Sequence, residues 1–238
     1  MEDDILGAIA TQWRERSREA GPWHPPGLPW SVLAVVASGV LLPMLSSGRP
    51  GLEIVAGIVW IWIPALAGST VVVDAMSASD VPPKGGDSGD EPRSLEIDDA
   101  PFFGKLGAGA AYGFVLFLAT LFSGMMVSGA VVAPEARYVA AFVAVAIVAI
   151  ELSAGLSAFA VAALGSPEAS RLSRELVVAG TLLVSLAGYS LAPTSSAGSL
   201  LSGFLGADHW PTLFLGLLVL VVLDAAILLV AKGTDRFR

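Results

Sequence analysis

The sequence predicts an all-α membrane protein with six transmembrane helices, and three observations carry that prediction. Hydrophobic residues make up 55% and charged residues only 14% of the 238 positions, far from globular proportions. The apolar residues gather in long runs with almost no charge, each about the length that crosses a hydrocarbon core. The basic residues sort by side: with the N-terminus in the cytoplasm, eleven Lys and Arg fall inside and only Arg49 and Arg137 outside. One span more or fewer would scramble that positive-inside bias. Both termini are therefore expected in the cytoplasm, in the cell membrane.

Residues 1–27 form the first unit. Ile5, Leu6, Ile9, Ala10 and Trp13 recur at helical spacing, with Arg14, Arg16 and Arg18 toward the other side and the end. This pattern predicts an amphipathic helix lying in the interface, with Trp13 at headgroup depth and the arginines toward anionic lipid. The prolines of GPWHPPGLPW end it. Residues 28–238 form the second unit, with spans predicted at 28–45, 52–73, 106–132, 138–164, 176–192 and 213–231. Pro64 is expected to kink the second span. Gly109 and Gly113, one turn apart, mark a face of the third that approaches another helix closely. The outer stretch from Pro193 to Pro211 holds a run too short to cross, Leu200 to Leu205, and reads as a short helix or re-entrant piece.

The loop at 77–105 stands apart. From Ser77 to Lys105 it carries two lysines, one arginine and seven carboxylates among Pro, Gly and Ser, so it must face water. Glu96, Asp98 and Asp99 lead into Phe102 and Phe103. Aromatics beside charges at the mouth of a membrane domain suit either a docking surface for another protein or an interfacial anchor for the third span.

Several chemistries lack their residues. Cys is absent, which removes disulfides, thiolate metal sites and thiol nucleophiles. His24 and His209, the only histidines, are predicted on opposite sides of the membrane and cannot share a metal. No basic residue within the spans is available to activate a serine. PKGGDS has neither the spacing nor the preceding strand of a phosphate-binding loop. No catalytic, cofactor-binding or metal-binding residue is expected, and the net charge of −8 argues against nucleic acid as a partner. Glu151, at the midpoint of the fourth span, and Asp224, near the middle of the sixth, are the candidate intramembrane polar site. A carboxylate at that depth costs a few kcal/mol on insertion scales. The pair suits a proton relay or cation site, or, equally simply, hydrogen bonds that fix packing.

In its layout the chain resembles the membrane subunits of type-2 ABC exporters, including haem exporter B subunits. LGAIATQWRER stands where that family has its interfacial elbow helix. RSLEIDDAPFFGKLGAG is similar to the family's Thr/Ser-Leu-Glu, Pro and Gly-Lys-Leu pattern opening span three. AALGSPEASRLSRELVV is similar to its short basic turn after span four, and a Pro-bounded outer segment precedes the last span. The resemblance implies a permease that pairs with a second copy or sister subunit and with a cytosolic ATPase that carries ATP and Mg. It places the ATPase-coupling surface at Ser94, Leu95, Glu96, Pro101, Phe102, Phe103, Gly104 and Lys105, with a smaller contact from Ser166 to Arg174. Two other readings stand beside it: a stand-alone proton-coupled transporter using Glu151 and Asp224, and a non-transporting membrane scaffold or assembly protein.

Overall fold

Prolines and small residues decide where these helices start and how closely they pack. The computed structural model describes residues 2–19, 25–46, 49–77, 100–127, 136–164, 171, 172, 175, 180, 218, 221–230 and 233. Among them every element is helical: α1 (Glu2–Glu19), α2 (Leu28–Val35), a π-helical turn (Val36–Leu41), α3 (Leu42–Ser46), α4 (Pro50–Ser77), α5 (Ala100–Val127) and α6 (Ala136–Leu164). A shorter apolar helix, α7, covers Val221–Val230. Four stretches, Leu28–Ser46, Val55–Ser77, Phe102–Val127 and Phe142–Leu164, are long and apolar enough to cross a membrane, and they coincide with the first four predicted spans. Of the predicted span 176–192 only Gly180 is described, and of 213–231 only Leu218 and α7. The predicted outer piece around Leu200 to Leu205 lies outside the described residues.

Two boundaries differ from the sequence reading. The third span was expected to open at Leu106, but α5 opens at Ala100. Pro101 falls in the first turn, where a missing N–H costs nothing, so the helix starts through the proline rather than after it. The second span was expected to close at Val73, but α4 continues to Ser77. Pro50 opens α4 in the same way, and Pro64 lies inside it as part of one continuous helix.

Lipid is as apolar as these side chains, so close van der Waals contact rather than escape from water holds the helices together. α4 and α5 run antiparallel with almost no space between them. A Cβ built on Gly68 would lie 2.6 Å from the Gly109 carbonyl oxygen, and one on Gly113 would lie 2.8 Å from that of Pro64. The Gly109/Gly113 face thus does what its spacing predicts. α6 completes a three-helix core around Phe117, Phe142, Ile61 and Val145, all essentially inaccessible. Phe142 stands edge-on to Trp60 at 6.3 Å. The first span is peripheral: 17% of its apolar window is buried against 61% for α4 and α6. Leu28, Val32, Leu33, Met44 and Leu45 are all exposed, as suits a lipid-facing helix.

α1 is a helix as predicted, and it packs along α5 through Ala8, Ile9 and Trp13. A Cβ on Gly104 would lie 2.8 Å from that of Ala8, and one on Gly107 would lie 2.6 Å from Ile9 Cδ1. Trp13 meets Tyr112 edge-on at 5.5 Å, and Tyr112 shares a 2.7 Å hydrogen bond with Ser31. Trp13, Trp30 and Tyr112 pack into one cluster with Ala34, Ala67, Val71 and Leu116. From Ala100 to Tyr112, α5 rises about 18 Å at 1.5 Å per residue, and α1 runs along these first turns.

Candidate functional site

The predicted coupling surface divides in two. Ser94, Leu95 and Glu96 lie outside the described residues. Pro101 to Lys105 are helical, the opening turn of α5. Phe102 is only 8% exposed and belongs to the central core cluster, against which Phe103 and Met76 also pack. The two rings meet edge-on at 5.4 Å. Gly104 is buried beneath Ala8, and Lys105 is half-buried. Phe102 as a surface aromatic is therefore corrected: starting the helix at Ala100 rotates this side chain inward, where it closes the end of the core. Its packing ties the first turn of α5 to the core. Of the smaller contact, Arg171 and Leu172 are described. Arg171 pairs with Glu175 at 3.2 Å, with both side chains exposed.

Glu151 and Asp224, the predicted polar site, lie on neighbouring helices, α6 and α7. Glu151 lies at the middle of α6 with its side chain on the surface of the described bundle, while its neighbours Ile150 and Leu152 are buried. One turn further, Gly155 leaves the space that Asp224 of α7 enters: a Cβ there would lie 2.5 Å from Asp224 Oδ1. The two carboxylates are within electrostatic reach of each other. Asp224 Oδ1 is buried and has no hydrogen-bond partner among the described residues. Ile227 and Leu228 of α7 pack against the core cluster. Ala154 and Ala158 of α6 face the core and are fully buried. No group of three His, Cys, Asp or Glu side chains suited to a metal ion occurs among the described residues.

A third polar region was not foreseen. In the first span Ser38 Oγ donates to the Ala34 carbonyl at 2.5 Å and shares a 3.5 Å contact with Thr120 of α5. The Trp60 indole donates to the Ser38 carbonyl at 2.7 Å. Between α4 and α6, buried Ser69 and Ser157 share a hydrogen bond. Ser157 also reaches the Ser153 carbonyl at 2.7 Å. The sequence signal for the first group was Ser38-Gly39 followed by Pro43 within an apolar span. Comparison with protein-family models, with curated proteins and with solved structures gives no match.

Proposed function

We propose that this chain is the membrane-spanning permease subunit of an ABC-type exporter in the cell membrane. In this reading it has six spans, with both termini and the 77–105 loop in the cytoplasm. ATP and Mg act on a partner ATPase, and a second permease copy or sister subunit completes the path. The observation that supports the reading most is the mounting of α5. The RSLEIDDAPFFGKLGAG segment runs directly into a helix whose first turns are held by Ala8 and Ile9 of α1 on one side. Phe102, within that same segment, is anchored in the core. A displacement of the preceding loop by a closing ATPase would be passed to the bundle as movement of a rigid lever rather than absorbed in slack chain.

The test is an affinity pull-down of the tagged full chain from its native membranes in mild detergent, wild type beside Leu95→Ala/Glu96→Ala. Phe102 is unsuitable as the probe because truncating a core aromatic costs about 3–5 kcal/mol in stability. The expected outcome is an ATPase bearing a phosphate-binding loop with the wild type and a several-fold loss with the variant. Failure to recover any ATPase with intact protein contradicts the reading.

A second reading, proton-coupled transport, is favoured by the approach of Asp224 to Gly155, one turn from Glu151. It predicts that Glu151→Gln and Asp224→Asn abolish pH-driven flux in vesicles while Leu95→Ala/Glu96→Ala leaves it unchanged.

A further inference from the structure

The buried residues of the first span are Ala34, Ser38, Gly39, Pro43 and Ser46, and a π-helical turn, Val36–Leu41, interrupts it. Pro43 accounts for the choice. In an α-helix Leu42 N–H would bond the Ser38 carbonyl, and Gly39 would be left facing a proline ring with no N–H to offer. In the observed register Leu42 N–H bonds the Ala37 carbonyl instead. The donor for Ser38 would then be residue 43, which has none. Either register strands one carbonyl in the middle of a span, where no water replaces the lost partner. In the π register the stranded carbonyl is that of Ser38, and the Trp60 indole reaches it at 2.7 Å.

Trp60 is itself held by three other elements. It belongs to α4, stands edge-on to Phe142 of α6, and lies over Gly124 of α5, where a Cβ would be 2.1 Å from its ring. Gly39 packs equally tightly on α5, its Cβ position being 2.9 Å from the Thr120 carbonyl oxygen.

We propose that the π turn is a register switch in the first span, latched by the Trp60 indole on the Ser38 carbonyl. Withdrawal of the indole lets Val36–Leu41 close to α-helical bonding and turns α3 by ~100°, the rotation of one residue, relative to α2. Leu45 then moves from the lipid side toward α5, Pro43 moves outward, and Leu33 stays where it is. Because Trp60 touches α4, α5 and α6, a shift of any of them against the first span acts on the latch. Such π turns are common where helices change conformation or bind ligands. The switch does not depend on the transport reading.

The chain has no cysteine, so single spin labels are placed by Leu45→Cys or Leu33→Cys in the full chain in lipid nanodiscs, and oxygen accessibility is read by electron paramagnetic resonance. With Trp60 present both labels are lipid-exposed. In Trp60→Phe the label at 45 is expected to lose oxygen accessibility at least about twofold, or to split into two populations, by the one-residue rotation, while that at 33 is unchanged. Pro43→Ala leaves the aromatic core untouched and gives residue 43 an N–H that serves either register, so the intrinsic preference for α over π bonding decides, and the same loss at 45 is expected. It decides the matter if Trp60→Phe does not fold. An unchanged label at 45 in folded Pro43→Ala overturns the proposal, as does an unchanged label in folded Trp60→Phe.

Discussion

At Gly109 there is no room for a methyl group. The added carbon would sit 2.3 Å from Val72 Cγ2 and 2.6 Å from the Gly68 carbonyl oxygen, and the backbone of α4 cannot retreat without opening the interface. Overpacking of this kind costs about 1–3 kcal/mol. The hydrogen bond between Ser69 and Ser157 looks like stronger glue but is worth less. Such bonds average about 0.6 kcal/mol in membrane helices, and Ser157 keeps its bond to the Ser153 carbonyl when Ser69 is lost. Gly109→Ala is therefore expected to lower thermal stability in detergent more than Ser69→Ala; the reverse order would show that polar contacts hold α4. Glu151 and Asp224 belong to the same scale. Asp224 enters the space that Gly155 leaves one turn from Glu151, an approach that no spacing in the sequence announces.

Among the elements, α1 is held by side chains of uneven quality. The contact of Gly107 is with the flexible tip of Ile9, whereas that of Gly104 reaches Ala8, including its backbone carbonyl carbon at 3.3 Å. The edge-on contact of Trp13 with Tyr112 holds α1 further along. Trp13→Ala removes an aromatic pair worth about 0.5–1.5 kcal/mol beyond its buried area. Amide exchange across α1 should accelerate severalfold while α5 stays protected. Equal acceleration in both would mean that they unfold as one unit. The existence of α1 and of the first four spans was legible because a 3.6-residue apolar period and long uncharged runs are strong signals. The start of α5 was not, because the acidic run before Pro101 masks the apolar period, and Phe102 shows itself as a core residue only in the packed bundle. The π turn was hidden for a related reason: Pro43 within an apolar run announces a disturbed helix, but Trp60, which selects the form of the disturbance, is 17 residues away on another element.

For the whole molecule, four apolar helices make this a membrane protein, and the exporter reading adds a requirement of sidedness. A cytosolic ATPase can reach the 77–105 loop only if that loop is cytoplasmic, and the six-span arrangement puts the C-terminus on the same side, an even number of spans further on. The cysteine-free chain allows this to be read directly with a membrane-impermeant maleimide applied to intact cells. The variants are Ser88→Cys in the loop, Ser195→Cys in the outer stretch, and Thr234→Cys near the C-terminus. The account predicts labelling of position 195 alone, with 88 and 234 reacting only after the membrane is opened. Labelling of 88 from outside, or of 88 and 234 from opposite sides, would contradict the six-span arrangement and the proposed exporter with it.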